Sequence, residues 1–367
     1  MIIKVCVIGT RGFPGLQGGI EKHCEELYTR MAKMNNIEFI IYRRVPYLNE
    51  RSMIQIDNIH FKDFKIRKNK YFETLIHSLF SAVHAFFLKP DIAHFHNTGP
   101  GIFIPLLKLR GIKVVFTYHN ISYTQKKWNA FAKKFLSLSE IISLKFSDAV
   151  IFISKPLQTD VSERFRLSSQ YLIFNGVSIS EPSRETSYIE SLDLEKKKYI
   201  ISVGRFMEEK GFDYLIEAFQ KARLQNYKLV LVGDADYPTT YSTKLKEYAV
   251  QNNVILTGNI TGEKLNQIYS HAKLFVISSY SEGLPIVLLE ALSFKLDVLA
   301  SNIPANKQLM ISEDDFFEVG NVEDLTYKLK EKVLIGENKD YTPMLEQNFN
   351  WDIAAEQTRD VFLKTLQ

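Results

Sequence analysis

Glu282 and Glu290 are the only acids between Ser278 and Phe294, in a tract that reads Ser278-Ser-Tyr-Ser-Glu282-Gly283-Leu284-Pro285-Ile-Val-Leu-Leu-Glu290-Ala-Leu-Ser-Phe294. The first lies in a Ser/Gly/Pro loop just past the apolar run Leu274-Phe-Val-Ile277. The second falls inside a helix opened by Pro285, which suits a first helical position because its missing N–H has no intrahelical partner there. Every residue around Glu290 from Ile286 to Leu292 is apolar or small, so this helix is expected to be buried all round. A carboxylate in such surroundings is unfavourable unless something hydrogen-bonds it. Two carboxylates could serve as an acid and a base, or as clamps on the hydroxyl groups of a polar ligand.

Two glycine-bounded loops offer complementary chemistry. Gly204-Arg205-Phe-Met-Glu208-Glu209-Lys210-Gly211 places two cations five positions apart after a strand, where an Arg fork and a Lys point charge suit a diphosphate. The competing reading pairs them with Glu208 and Glu209 at the surface. Gly9-Thr-Arg-Gly12-Phe-Pro-Gly15-Leu-Gln-Gly18-Gly19-Ile-Glu21 has a backbone able to approach an anion at a helix N-terminus. It fits neither the dinucleotide nor the Walker spacing, and a structural glycine turn is the plainer alternative. His94 and His96 share one strand face by alternation, and His119 ends the next strand. No acidic or Cys ligand accompanies them at metal-site spacing, so they read as core or cleft-lining histidines, with no metal expected.

Apolar runs of five to eight residues alternate with longer helical patterns, which predicts an α/β fold with parallel sheets. In the first half the expected strands are Lys4–Gly9, Ile37–Tyr42, Ile92–His96, Val114–His119, Ala149–Ser154 and Tyr171–Asn175. The pattern restarts with Tyr199–Gly204, Lys228–Gly233, Val254–Leu256, Leu274–Ser278 and Val298–Ser301. Residues 177–197 lack periodicity and mark a linker, while Trp351 to Leu366 reads as one amphipathic helix. Two doubly wound, Rossmann-like parallel-sheet domains are the economical outcome, with ligands outside the carboxyl ends of the strands.

The chain has 367 residues, 46% of them apolar and 24% charged, as in globular proteins with a soluble surface. Strand residues begin at Ile2, which leaves no room for a signal peptide. The 14-residue run from Leu75 to Leu88 contains His77 and His84 and is too short and polar to span a bilayer. Cys6 and Cys24 read as reduced thiols, and a cytoplasmic location follows. Residues 1–180 carry 25 Lys and Arg against 13 Asp and Glu, whereas residues 181–367 carry 21 against 29. The basic half suits a polyanion or an anionic membrane surface. Two basic-aromatic segments, Lys62, Lys65, Arg67, Lys68 and Lys70 beside Tyr71 and Phe72, and Lys126, Lys127, Lys133 and Lys134 among Trp128, Phe131 and Phe135, fit either interfacial docking or a solvated helix face.

The Gly18-Gly19 loop, His119, Asn175-Gly176-Val177, Gly204-Arg205 with Lys210-Gly211, Gly233-Asp234 and Glu282-x7-Glu290 together resemble glycosyltransferase family 4, the retaining enzymes of the GT-B fold. The Gly9-Thr-Arg-Gly-Phe-Pro opening is similar to bacterial transferases that build surface polysaccharide such as O-antigen or capsule. The resemblance implies an acceptor-side domain over residues 1–180, a nucleotide-sugar domain over 181–350 facing it across a cleft, and a helix over 351–367 returning to the first. It implies that Arg205 and Lys210 bind the donor diphosphate, that Glu290 holds ribose hydroxyls, and that Glu282 holds the transferred sugar with the backbone of Gly283, Leu284 and the Pro285 turn. His119 would contact the donor sugar, Gly18 and Gly19 would face its phosphates, and Gly204 and Gly233 would border the nucleotide. The implied donor is a UDP- or GDP-linked sugar, with no cofactor and no metal. The implied acceptor is a saccharide, polyprenyl-diphosphate-linked at a membrane surface, and no nucleic acid is expected. Ser178, where many members carry an acid, and Gly233-Asp234-Ala-Asp236, in place of the commoner Gly-Asp-Gly-Pro, depart from the pattern. A nucleotide-sugar 2-epimerase and a non-catalytic subunit on the same fold are the alternatives.

Overall fold

Short apolar runs that helices cannot use become the strands of two parallel sheets in the computed structural model, which describes residues 2–34, 36–69, 72–121, 123, 128–336 and 339–367. Lys70, Tyr71, Lys126 and Lys127 of the basic-aromatic segments lie outside the described residues. The chain divides into one unit of residues 1–176 and 350–367 and another of residues 177–349.

In the first unit, β1 (Ile3–Ile8), β2 (Ile37–Arg44), β3 (Ile59–Phe64), β4 (Ile92–His96), β5 (Lys113–Tyr118), β6 (Ala149–Phe152) and β7 (Gln170–Leu172) form a sheet in the order β3-β2-β1-β4-β5-β6-β7. Every pairing is parallel. The helices α1 (Gly19–Met31), α2 (Glu73–Leu88), α3 (Ile104–Lys108), α4 (Ala130–Phe146) and α5 (Lys155–Arg164) connect these strands. Central strands such as β4 and β6 are buried along their whole length, as expected where helices cover both faces. Edge strand β3 departs from this, with Lys62 and Asp63 exposed. The helix starts are set by side chains: Asn129 accepts the Ala132 N–H at α4, and Ser154 accepts the Leu157 N–H at α5.

The second unit repeats the plan with β8 (Tyr199–Val203), β9 (Lys228–Val232), β10 (Ile255–Gly258), β11 (Leu274–Ile277), β12 (Asp297–Ser301) and β13 (Phe316–Phe317), in the order β10-β9-β8-β11-β12-β13. Its helices are α6 (Ser187–Ser191), α7 (Phe212–Ala222), α8 (Thr240–Gln251), α9 (Glu263–His271), α10 (Ile286–Ser293), α11 (Pro304–Lys307), α12 (Val322–Ile335) and α13 (Thr342–Asn348). One face of α7 buries Phe212, Leu215, Ile216 and Ala218 with Leu229, Leu231, Leu325 and Leu329. In both sheets the strand order reverses at a central pair, β1/β4 and β8/β11. That switch point is where diverging connections leave a crevice at the carboxyl edge.

The last helix, α14 (Trp351–Leu366), belongs to the first unit and packs on α1. Asn350 caps it by accepting the Asp352 N–H, and Trp351 is buried against His23 at a ring separation of 5.7 Å. Gly176 makes this possible. A Cβ there would lie 2.2 Å from the Trp351 nitrogen and 2.6 Å from the Asn350 carbonyl carbon, both backbone atoms that cannot swing away. Gly176→Ala is therefore expected to destabilise the first unit by about 1–3 kcal/mol. A lowered unfolding midpoint in urea with an unchanged slope would show it; a midpoint equal to that of the unsubstituted protein would contradict the packing.

Candidate active site

Neighbouring strands β8 and β9 run out at Gly204 and Gly233, and the two backbones touch. Gly204 N–H donates to the Val232 carbonyl at 2.9 Å, and a Cβ on Gly233, whose φ is +127°, would lie 2.1 Å from the Gly204 carbonyl oxygen. Glycine is thus demanded by the close approach of the two backbones at the carboxyl edge of the sheet. Beyond it, the Arg205 guanidinium donates to Asp236 Oδ2 at 2.9 Å and stays 45% exposed. Lys210 closes a single 3-10 turn, and Gly211 (φ +62°) starts α7. A Cβ on Gly211 would stand 2.4 Å from the Ser278 carbonyl oxygen, so this loop lies directly on the end of β11.

That contact is stitched from several directions. Ser278 Oγ donates to the Lys210 carbonyl at 2.9 Å, Tyr280 N–H donates to the Glu209 carbonyl at 2.8 Å, and Tyr214 OH donates to the Ser278 carbonyl. The Lys210 ammonium then meets Glu282 Oε1 at 2.6 Å, and Ser279 Oγ donates to the same oxygen at 2.6 Å. Ser301 Oγ fixes the Ser279 carbonyl at 2.6 Å. Both members of the ion pair are largely covered, at 18% and 12% side-chain exposure, a setting where losing one partner strands the other. The reading in which Arg205 and Lys210 pair with Glu208 and Glu209 is therefore not what the fold adopts; their ion pairs reach across to Asp236 and Glu282.

The glutamate helix differs from expectation in two respects. Pro285 caps α10 with extended backbone, and the helix proper begins at Ile286. Nor is it buried all round, because Val287 and Glu290 share a partly exposed strip while Ile286, Leu288, Leu289, Ala291, Leu292 and Ser293 are buried. Glu290 Oε2 accepts from Tyr269 OH at 3.3 Å. Burial first, and the Glu290 charge second, push the Tyr269 hydroxyl well above its usual pKa, so it remains a donor. Glu290 thus has one oxygen oriented from within the protein, on a residue that stays partly exposed. Leu284 and Pro285 are buried and anchor the loop, and the Gly283 carbonyl accepts from Gln308 Nε2 at 3.5 Å.

Asp234-Ala235-Asp236 has the Asp-x-Asp spacing associated with metal sites. Asp234 pairs with Lys246 at 2.7 Å and Asp236 with Arg205, so each carboxylate already faces a cation of the protein.

In the first unit, Gly18 (φ +136°) precedes α1, and a Cβ there would lie 2.1 Å from Glu21 Oε2. Under the loop, Arg11 donates to both oxygens of buried Glu21 at 3.1 Å. Burial pushes the Glu21 carboxyl up, but the Arg11 charge and hydrogen bonds outweigh it and hold it below its usual range. Nothing stands within 4 Å of where a Cβ of Gly19 would be, so this backbone faces open space at the start of the helix.

The expected His94/His96 alternation leads to a buried histidine row. Tyr28 OH of α1 lies 2.7 Å from His94 Nδ1 and 2.6 Å from His96 Nε2. His94 Nε2 lies 2.7 Å from Thr117 Oγ1, and His96 Nδ1 lies 2.9 Å from His119 Nε2. Tyr28 has one proton, so it donates to one ring and accepts from the other, and its choice dictates which nitrogen of His119 carries hydrogen. Burial is the main cause holding His94, His96 and His119 well below the usual histidine pKa, with neighbouring imidazoles adding to it. His119 is accordingly neutral near pH 7, a hydrogen-bonding group rather than a cation. Sequence reading missed Tyr28 and His23 here and gave Asn175 only as part of the Asn175-Gly176-Val177 motif, with no link to the histidines; all three are brought in by elements distant along the chain, and His23 Nδ1 lies 2.7 Å from Asn175 Oδ1.

The sequence model of the family described as Glycosyltransferase Family 4 matches residues 17–181, and that described as Glycosyl transferases group 1 matches residues 184–342. The chain belongs to glycosyltransferase family 4. Among curated relatives, the amylovoran biosynthesis glycosyltransferase AmsD of Erwinia amylovora is 22% identical over 170 residues, 46% of this chain and 48% of that protein. The chain spans 48% to 63% of the length of the first curated relatives it matches. Sucrose-phosphate synthase from Thermosynechococcus elongatus has the same fold, with a TM-score of 0.81 at 20% identity over 99% of this chain and 98% of that one. Anabaena HepE in complex with UDP-glucose gives 0.77 at 16% identity over 99% and 100%. At these identities the likeness speaks to the fold, which is GT-B.

Asp236 was noticed in the sequence only as a departure from the family pattern, and its pairing to Arg205 gives it a role. If it restrains a phosphate-binding guanidinium, Asp236→Ala should tighten binding of a nucleoside diphosphate by about two- to fivefold, the worth of one exposed ion pair. Calorimetry with UDP and GDP measures this, and weaker binding in the variant would contradict it.

Proposed function

We propose that the protein transfers a sugar from a nucleotide-diphosphate sugar to a hydroxyl of a saccharide acceptor, with retention of configuration and without a metal ion, in the assembly of bacterial surface polysaccharide. The observation that carries this reading is the Lys210–Glu282 pair, which sets a cation and a carboxylate side by side at the carboxyl edge of β8 and β11. A sugar diphosphate needs both: charge for its phosphates and acceptors for its hydroxyls. The AmsD relative's role in amylovoran biosynthesis and the UDP-glucose held by HepE support the polysaccharide and nucleotide-sugar halves of the reading.

In the reaction, the bond between the anomeric carbon and the diphosphate oxygen breaks, and its electron pair stays on that oxygen. Lys210, Arg205 and the N-terminus of α10 stabilise the negative charge that grows there. The acceptor oxygen forms its bond to the anomeric carbon on the same face, and its proton passes to the departing phosphate oxygen. Glu282 and Glu290 then act as clamps on hydroxyl groups, the latter on the ribose. His119, kept neutral by burial, is the first unit's candidate to hydrogen-bond a sugar hydroxyl, and the Gly18-Gly19 backbone its candidate to meet an anionic group.

An anionic membrane as the place of reaction is supported by α2, whose polarity is inside out. Its buried face carries His77, Ser78, Ser81, Ala82 and Ala85, while Ile76, Leu79, Phe80, Val83 and Phe87 are exposed. Exposed Lys89 follows the helix, and α4 exposes Phe131 and Leu138 beside Lys133 and Lys134. An apolar stripe with basic flanks matches an interfacial helix. Among the described residues no helix is long and apolar enough to cross a membrane.

Steady-state kinetics with a nucleotide sugar and a saccharide acceptor test the reaction. Arg205→Ala and Lys210→Ala should each lower kcat by roughly 10²-fold or more, and Glu290→Gln should raise the donor KM with a smaller effect on kcat. A Glu290→Gln enzyme with normal KM and collapsed kcat would restore an acid–base role for the glutamates. Epimerised donor formed without acceptor would favour the epimerase. For the membrane, sedimentation with phosphatidylglycerol vesicles should recover the protein and lose it on Phe80→Ser/Phe87→Ser substitution; equal recovery of both proteins would contradict the role of α2.

A further inference from the structure

The histidine row contains more than a hydrogen-bond chain. His23 of α1, His96 of β4 and His119 beyond β5 each offer a ring nitrogen, and these three nitrogens lie within 4.8 Å of one another. All three residues are more than nine-tenths buried. His23 directs Nδ1 to Asn175 Oδ1 at 2.7 Å, and a carbonyl oxygen there requires the proton to be on Nδ1. Its Nε2 therefore carries a lone pair, and among the described residues this buried atom has no hydrogen-bond partner. A buried lone pair that meets no donor among the described residues is an unfavourable arrangement that a ligand would relieve.

We propose that His23, His96 and His119 form a binding site for a divalent transition cation of the zinc class, bound through His23 Nε2, His96 Nδ1 and His119 Nε2. Three imidazoles and one open position are a familiar donor set for this ion, with nitrogens about 2.0–2.1 Å from the metal. The surroundings supply the outer partners such ligands require. Asn175 accepts from His23 Nδ1–H. His96 Nε2–H donates to the Tyr28 oxygen, Tyr28 O–H donates to His94 Nδ1, and His94 Nε2–H donates to Thr117 Oγ1, each along a contact of 2.6–2.7 Å. His94 is thus an outer partner and not a ligand.

Proton accounting favours loading. Without the ion and in the same direction of the chain, His119 Nε2–H donates to His96 Nδ1. Binding moves that proton to His119 Nδ1, freeing both lone pairs, so no proton leaves the protein. The site shares His119 with the proposed transfer chemistry, which itself uses no metal, and all of its residues lie in the first unit.

The test uses full-length, tag-free protein, first stripped with chelator. Titration with Co2+ should give one equivalent bound per chain with the strong visible bands of tetrahedral cobalt, and Zn2+ should displace it stoichiometrically. His23→Gln and His96→Gln should each weaken cobalt binding at least tenfold, and Asn175→Ala should weaken it by roughly 10- to 100-fold by releasing the His23 ring. No cobalt bands in the unsubstituted protein would overturn the proposal. So would weak octahedral bands, or full binding by a His23→Gln variant whose circular dichroism and melting show it to be folded.

Discussion

A single lysine holds the second unit's candidate site together. Lys210 is fixed at its carbonyl by Ser278, through the preceding residue by Tyr280, and at its ammonium by Glu282. Gly211 lets the loop descend onto β11, where any side chain would strike the Ser278 carbonyl. The consequence is preorganisation: the cation and the carboxylate hold their positions through a network of hydrogen bonds before a substrate arrives. A site whose charges are already oriented need not reorganise as charge develops, which is the main source of electrostatic catalysis. The strand order makes this possible, since β8 and β11 are neighbours although two strands lie between them in the chain.

Much of this was legible in the residues. Buried parallel strands are apolar along their whole length, so the strands with covered faces could be placed, with ends shifted by at most three residues. Edge strand β3 escaped because half its residues face water and its Lys62 and Asp63 resemble a loop; β13 escaped because it has two residues. Glycines spoke clearly where a backbone must approach another, as at Gly204 and Gly233. The weakest inference concerned burial around Glu290. Apolar neighbours in sequence suggested enclosure, yet a helix in contact with a sheet can leave one strip open, and Glu290 with Val287 occupies that strip.

Long-range partners were illegible for a different reason. Tyr28 and His23 occupy an ordinary amphipathic helix, and only the packing of α1 against β4 and α14 brings them to His94, His96 and His119. Likewise nothing in Asp236 alone announces that it meets Arg205. The α2 stripe shows a related case: among the described residues no helix is long and apolar enough to cross a membrane, and the exposed apolar face of α2 became visible only once Ser78, Ser81 and Ala82 were seen to be buried.

The central claim is that the second unit is a ready-made receptor for a nucleoside diphosphate, with Lys210 as its fixed cation. Calorimetric titration of UDP and GDP in the presence of EDTA tests it most directly. The account predicts one nucleotide bound per chain without divalent metal, weakened at least tenfold by Lys210→Ala. Binding that appears only when magnesium or manganese is added, or that survives loss of Lys210 undiminished, would contradict it.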